Sequence, residues 1–511
     1  SKHFFTGVNE TAGFILALAS FAVGFAVRPL GALVFGHFGD RKGRKGAFLV
    51  TIVLMGVATV GIGLLPTFEQ AGILAPILLV FLRILQGFAL GGEYGGAAIF
   101  VAEHAPDNKR GEMTSWIQTS AAFGLLAALG VIYVTRSIMG EAAFSEWGWR
   151  IPFILSLGLL IISIWIRTRL SESPAFKQME AEGAASRAPF KESFTKPKNF
   201  RRVLLVLFGI MTAQGVVWYT SFFYSQFFLE RTLKVEPATV NLLIMAVTVV
   251  SAVLYVFFGW LSDRVGRKPV MLFGILLAAV AFFPAFQMLT RAANPDLAAA
   301  ISRAPVVVYA DAPTCSLQFD PVGKARFSSA CDLAKGVLTS MGIPYSNIQS
   351  EAAAAAVVRV GDLSVAVPDG HDLSNADLKA LRGTVEAEIK AALATKGYPL
   401  KADPAKTDLV AVFLTLMVLT IASTALYGPQ AAALVEIFPT RVRYTAMSLP
   451  YNVGTGWFGG FLPTIVFALV AATGNIYYGL WYPVIVAGLA FVVAFFFLKE
   501  SKGRDLASIE D

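Results

Sequence analysis

Read as runs of apolar and polar positions, the chain alternates long hydrophobic stretches with short charged turns. Apolar runs cover Ala12–Phe38, Ala47–Leu65, Ala75–Glu103, Met113–Ile138 and Arg150–Ile166. A charged stretch from Arg167 to Arg202 follows. Six more runs come after it: Val203–Phe228, Ala238–Leu261, Val270–Leu289, Asp408–Val435, Thr445–Val470 and Trp481–Leu498. At about 1.5 Å of rise per residue, each predicts a helix able to cross a hydrocarbon core of about 30 Å, the fifth being shorter than the rest. The pattern predicts an all-α polytopic membrane protein.

The turns repeat. Gly36-His37-Phe38-Gly39-Asp40-Arg41-Lys42-Gly43-Arg44-Lys45 joins the first two runs, and Gly259-Trp260-Leu261-Ser262-Asp263-Arg264-Val265-Gly266-Arg267-Lys268 joins two later ones, 223 positions on. In both, Gly leads Asp by four positions and Asp-Arg-x-Gly-Arg-Lys follows. Self-similarity of this kind marks two pseudo-symmetric helix bundles. If the copies are equivalent, two spans should precede each turn. Two precede the second and one precedes the first, so a further helix is expected ahead of Ser1; the alternative is an eleven-span chain. The predicted division is a first bundle at 1–166, a linker at 167–202, a second bundle at 203–290 and 408–498, an insert at 291–407 and a tail at 499–511.

Composition agrees: 56% of residues are hydrophobic and 15% charged, where a soluble protein carries about a quarter charged. The formal net charge of +8 raises nucleic acid or anionic lipid as partners. The basic residues, however, gather in loops on one side of the helices: Arg41, Lys42, Arg44 and Lys45; Lys109 and Arg110; the run 167–202; Arg264, Arg267 and Lys268; Arg441 and Arg443. By the positive-inside rule that side is cytoplasmic and carries the tail, and the insert lies outside. No nucleic-acid partner is expected; the lipid bilayer is.

The insert reads as a small α+β domain. Val306–Ala310 predicts a strand and Ser328–Met341 a helix with Leu333, Val337 and Met341 on one face. Val357–Val360 and Leu363–Val367 flank Gly361-Asp362, a hairpin signal, and Ser374 caps a last helix ended by Gly397. Cys315 and Cys331 are the chain's two cysteines. An oxidising outer location predicts that they form a disulfide.

Charges inside apolar spans are costly unless they pair or line a cavity. Arg83, Gln86 and Glu93 share one face of the third span, Arg83 and Glu93 about 15 Å apart along it. Glu93 sits near mid-depth, where an acid can exchange protons with either side; the glycines around it permit close helix contact or substrate approach. The pair either couples protons or braces helices. Arg28, before Pro29, suits an anionic substrate group or a carboxylate on the expected preceding helix. Gln118, Gln214, Trp218, Tyr219, Tyr224, Gln430, Tyr451 and Asn452 are polar or amphipathic positions within spans, able to contact a solute or a neighbouring helix. No Walker loop, nucleophile elbow or zinc motif occurs, and His371 lacks a second ligand at useful spacing. ATP-driven transport, enzymatic chemistry and a cofactor therefore have no support.

The two Gly-x-x-x-Asp-Arg-x-Gly-Arg-Lys turns resemble the loop signature of the major facilitator superfamily. Arg83-Ile-Leu-Gln-Gly87 resembles its fourth-helix motif, and Glu103…Pro106…Arg110-Gly111 and Glu436-Ile-Phe-Pro439-Thr-Arg441 resemble its inner-loop motifs. Arg28-Pro29-Leu30-Gly31, Gly91-Gly92-Glu93-Tyr94-Gly95-Gly96, Trp147-Gly-Trp149-Arg150 and Glu172-Ser173-Pro174 are similar to its metabolite:proton symporter branch, which includes carriers of citrate, α-ketoglutarate, shikimate and proline/betaine. The resemblance implies two six-helix bundles around a central cavity, worked by rocker-switch alternating access. It implies two inner-gate charge networks, Asp40 and Arg44 with Glu103 and Arg110, and Asp263 and Arg267 with Glu436 and Arg441. It also implies that Arg83 faces an acid on the helix expected ahead of Ser1.

The resulting expectation is a monomeric secondary transporter of the bacterial inner membrane, importing a small di- or tricarboxylate-like acid with protons. Glu93 and Arg83 would be the coupling charges, and Arg28, Gln118, Gln214, Tyr219 and Asn452 the substrate contacts. The alternatives are a carrier of zwitterionic osmolytes such as proline or betaine, and a transporter-like sensor. Drug efflux is disfavoured, because Met113–Ile138 contains no proline.

Overall fold

The computed structural model describes residues 4, 10–169, 171–311, 315–316, 326–350, 355–506 and 509, and for 10–22 and 355 the backbone alone. The first half contains α1 (Glu10–Lys42), α2 (Arg44–Leu64), α3 (Leu74–His104), α4 (Arg110–Met139) and α5 (Ile151–Arg169). The second begins with α6 (Pro197–Thr232), α7 (Pro237–Val265) and α8 (Arg267–Ala293). After the short α9 (Pro295–Arg303) and the α+β unit, it resumes with α12 (Leu409–Ile437), α13 (Thr440–Thr473) and α14 (Trp481–Phe497). Among the described residues ten helices are long and apolar enough to cross a membrane, and α1, at 33 residues, has spanning length. Each predicted run coincides with one of these helices.

Each duplicated turn is a single residue of break. Gly43 separates α1 from α2 with φ +107°, and Gly266 separates α7 from α8 with φ +111°, a backbone region that glycine enters without a Cβ penalty. The charged residues before each break stay helical, so Asp40 and Asp263 stand on the last turns of α1 and α7. The halves meet along two seams, α1 against α13 and α4 against α7. α6 carries π-helical turns at Leu207–Met211, Thr220–Tyr224 and Phe228–Thr232, and α13 one at Gly454–Gly459. The two helices pack there: a Cβ on Gly215 would lie 2.3 Å from the Gly454 carbonyl oxygen. Such turns interrupt the regular hydrogen-bond ladder and recur at working parts of helices.

Between α9 and α12 stands a four-stranded sheet with two helices. β1 (Val306–Ala310), α10 (Ala330–Ser340), β2 (Tyr345–Gln349), β3 (Ala355–Val360), β4 (Leu363–Pro368) and α11 (Asn375–Thr395) follow in order. The strand order is β2-β1-β3-β4, β1 and β2 parallel and the other pairs antiparallel. The Gly361-Asp362 hairpin pairs Val360 with Leu363. Leu333, Val337, Val385 and Leu393 are buried as their stripes require, and Ser374 caps α11 by accepting from the Asp377 amide. Within 291–407 two elements escape the sequence reading, α9 and β2; past Tyr345, β2 is exposed and only Ile348 is apolar, so it shows no apolar alternation. The expected disulfide is present, joining Cys315 to Cys331 with Cα atoms 5.2 Å apart.

The unit is tied to the second half. The Tyr345 amide donates to the Gly474 carbonyl at 2.9 Å and its hydroxyl to that of Ala471. Asn347 donates to the Thr473 carbonyl at 3.2 Å, Lys234 to that of Ser340 at 3.3 Å, and the Ala402 amide to that of Lys234 at 3.0 Å.

Candidate functional site

At the end of the molecule that carries the two basic turns, each half holds the other. Asp40 accepts from the amides of Tyr444 (3.0 Å) and Thr445 (2.8 Å), in the first α-helical turn of α13. Asp263 accepts from the amides of Gly111 and Glu112, both at 2.8 Å, in the first turn of α4. Each carboxylate thus satisfies orphan donors at the positive end of a helix from the opposite bundle. The glycine four positions earlier lies on the same face. A Cβ on Gly36 would come within 2.7 Å of the Thr445 Cα, and one on Gly259 within 2.6 Å of the Gly111 oxygen. The spacing of glycine and aspartate in the repeated turn follows: one residue lets the partner helix approach, the other caps it.

The arginines exchange sides. Arg110, from the first half, donates to Glu436 of the second at 3.0 Å, where Arg267 also binds at 3.1 Å. Arg443, from the second half, donates to Glu103 of the first at 2.6 Å, where Arg44 also binds. This corrects the expected networks: Arg110 does not join Glu103, and Arg441 does not join Glu436. Arg441 instead pairs with Glu192 of the linker at 2.7 Å. Partial burial pushes the Glu192 carboxyl up, but hydrogen bonds from Ser186 and Arg441 outweigh it and hold it below the usual range. The physical reason is register. Arg110 follows Pro106 by four positions, and the residue four beyond Pro439 is Arg443. Asp40, Arg44, Glu103, Glu436, Arg110, Arg267 and Arg443 are all buried. The tail closes the cluster: the Arg504 and Leu506 carbonyls accept from Arg110 (3.3 Å) and Arg443 (3.1 Å), and Ser501 donates to Glu436 at 2.8 Å.

Midway along the helices a polar and aromatic cluster joins the halves. Tyr94 stacks on Tyr451, and its hydroxyl accepts from Gln118 at 3.1 Å and Gln430 at 3.2 Å. The Tyr427 and Tyr451 hydroxyls meet at 3.1 Å, and Trp218 donates to the Tyr255 hydroxyl at 3.2 Å. Arg28 lies over the Phe25 ring at 3.9 Å and within electrostatic range of Tyr219, Tyr451, Tyr427 and Glu93. Its Nε is buried without a hydrogen-bond partner, as are the side-chain oxygens of Gln214, Gln430 and Asn452. Asn452 is otherwise committed, donating to the carbonyls of Gly91 (2.9 Å) and Ser448 (2.8 Å), and so braces α13 on α3.

Arg83 and Glu93 do not meet. Arg83 donates to Gln86 at 3.1 Å, which donates to Thr59 at 2.8 Å. Glu93 forms no ion pair or hydrogen bond with the described residues; Arg167 and Arg28 are the charges that act on it. Ten residues of helix keep the two apart. The glycine-rich stretch serves close helix contact: a Cβ on Gly91 would lie 2.2 Å from the Arg28 carbonyl oxygen. Sequence reasoning missed Arg443, Arg167, Tyr94, Tyr255 and Tyr427. By sequence Arg167 opens the charged linker run, yet its guanidinium sits 3.4 Å from the centroid of Phe48.

Two bundles joined by reciprocal caps, with a polar and aromatic cluster between them, define the architecture of the major facilitator superfamily. The chain belongs to that superfamily's sugar (and other) transporter family, whose pattern matches residues 3–192 and 387–511; residues 206–306 match the major facilitator superfamily pattern. It is 40% identical over 294 residues to the proline/betaine transporter of Escherichia coli (strain K12), covering 56% of this chain and 58% of that one. It is 38% identical over 295 residues to the glycine betaine/proline/ectoine/pipecolic acid transporter OusA of Dickeya dadantii, covering 56% and 58%. It is 38% identical over 294 residues to the shikimate transporter of Escherichia coli (strain K12), covering 57% and 66%. The chain therefore spans 58% of the length of the first two relatives. Among solved structures, the proton:xylose symporter XylE bound to 6-bromo-6-deoxy-D-glucose superposes with a TM-score of 0.60 at 17% identity, covering 98% of this chain and 90% of that one, which establishes the shared fold.

Proposed function

We propose that the protein is a proton-coupled carrier of a zwitterionic osmolyte of the proline or betaine kind, working by alternating access in a bacterial inner membrane. The observation that carries this reading is the central cluster, in which Arg28 stands among Tyr219, Tyr427 and Tyr451. A zwitterion needs one cation for its carboxylate, which Arg28 supplies. Its ammonium or quaternary nitrogen needs aromatic faces or oxygen acceptors, which the tyrosines and the unpaired oxygens of Gln214 and Gln430 supply. The expectation of a di- or tricarboxylate gives way: among the described residues Arg28 is the cation within electrostatic range of these tyrosines, and the relatives named for proline and betaine point the same way.

In this mechanism the reciprocal caps and crossed arginines hold the inner side shut, and Glu93 takes the proton. Glu93 lies within a span and bonds to none of the described residues, which leaves its carboxyl open to proton exchange. The basic loops support a tail in the cytoplasm and an α+β unit outside. The test is uptake into proteoliposomes under an inward proton gradient. Radiolabelled glycine betaine or proline should accumulate and be released by a protonophore. Accumulation of shikimate or citrate without that of either zwitterion would return the reading to an organic acid, which the shikimate relative favours. Binding without flux would make the protein a sensor.

A further inference from the structure

We propose that the pocket between the α+β unit and the second bundle binds the phosphate of an anionic phospholipid whose acyl chains lie along α8 and α14. This rests on the protein's spanning a membrane but not on what it carries.

The pocket, about 550 Å³, is formed where the end of α8 and the later part of α9 meet the first residues of β1 and β2 and the 474–477 turn. Its polar lining includes Gln287, Thr290, Arg291, Ser346, Asn475 and Tyr477; among the described residues it contains one guanidinium and no carboxylate. Arg291 is exposed and makes no ion pair with the described residues. Tyr477 is held by donating to Thr290 at 2.8 Å, and Asn475 accepts from the Tyr477 amide at 2.9 Å, which leaves the Asn475 amide nitrogen free to donate. A guanidinium with neighbouring neutral donors and no competing acid is chemistry for a phosphate.

What surrounds the pocket selects a lipid over a free anion. Gln287 and Arg291 continue the exposed stripe of α8 that begins with Phe273, Leu276 and Val280. The neighbouring helix shows a matching stripe in Trp481, Ile485 and Leu489. Phe283, one turn before Gln287, meets Trp481 edge-on with centroids 5.0 Å apart, an aromatic contact of the kind that marks the join of headgroup and acyl regions. The polar pocket thus opens onto an apolar, bilayer-facing surface. A pocket of this volume accommodates a glycerophosphate headgroup and leaves the chains no place but that surface.

The full chain is reconstituted with phosphatidylcholine containing phosphatidylglycerol, extracted into detergent, and the retained lipid is read by native mass spectrometry. The wild type should keep one phosphatidylglycerol. Arg291→Gln should reduce that retention at least about tenfold, while Arg303→Gln, outside the pocket, leaves it unchanged. Millimolar glycerol phosphate should not displace the lipid. A photoactivatable phosphatidylglycerol should crosslink to segments 273–291 and 474–489, a readout that needs no variant. Equal retention by wild type and Arg291→Gln, or crosslinks confined to other segments, would overturn the proposal. Displacement by glycerol phosphate at lipid-equivalent concentration would assign the pocket to a soluble anion instead.

Discussion

Tyr94 and Tyr451, one from each half of the molecule, stack with ring centroids 3.8 Å apart and planes 3° from parallel. Any rocking of the halves must slide or part this pair. A stacked pair contributes about 0.5–1.5 kcal/mol beyond its burial, enough to bias one state and little enough to be broken in each turn of the proposed cycle. Tyr451→Leu should raise the concentration of zwitterion needed for half-maximal uptake about tenfold. Tyr94→Phe should act differently: it strands the Gln118 and Gln430 donors and should lower stability by about 1–3 kcal/mol, read as a fall in unfolding temperature.

The crossed arginines make a sharper comparison. Arg443→Ala leaves Glu103 with Arg44 alone, and Arg110→Ala leaves Glu436 with Arg267. Each loss should cost the closed inner side about 2–3 kcal/mol, below the about 3–5 kcal/mol of a fully orphaned buried charge. Alkylation of single cysteines placed on the inner halves of α1 and α7 should rise at least tenfold. Arg441→Ala, whose side chain is 35% exposed and bound to the linker, should leave alkylation within about twofold.

Gly36→Ala and Gly259→Ala test the close approach. Each adds a methyl group where 2.7 and 2.6 Å separate it from the opposite half, so the halves must separate or shift. Overpacking of this size costs about 1–3 kcal/mol. Both variants should show the same increase in inner accessibility as Arg443→Ala, with the individual bundles still folded by circular dichroism.

Glu93→Gln should abolish accumulation driven by a proton gradient while counterflow of pre-loaded zwitterion persists. Wild-type accumulation in this variant would remove Glu93 from coupling. Arg83→Gln, lying with Gln86 and Thr59, should change the rate without removing the dependence on the gradient.

Cys331→Ser opens a loop closed across 16 positions. Loop-entropy arguments give such a bridge about 3 kcal/mol. The α+β unit should become susceptible to protease between residues 306 and 345, while helices remote from it stay protected.

How much of this was legible follows from what each residue interacts with. The spans were legible because a bilayer demands uninterrupted apolar length. Asp40 and Asp263 were legible because their turn occurs twice. Arg443 was within reach, since counting from Pro106 and Pro439 in one register would have preferred it to Arg441. Tyr94, Tyr255 and Tyr427 were not: an aromatic residue in an apolar helix looks the same whether it faces lipid, a neighbour or the midline. The separation of Arg83 from Glu93 was equally hidden, because a shared helix face says nothing about which neighbours pack along the nine residues between. Strand β2 was lost because an exposed edge strand carries polar residues on both faces.

Among the described residues the α+β unit is anchored, through Tyr345, Asn347 and Ala402, to the second half. In the proposed alternating-access cycle it would ride as an outrigger on one of two moving bodies. A nanobody or dye fixed to its sheet would sweep through space as the carrier changes sides, giving a distance ruler against the first half that never enters the solute's path.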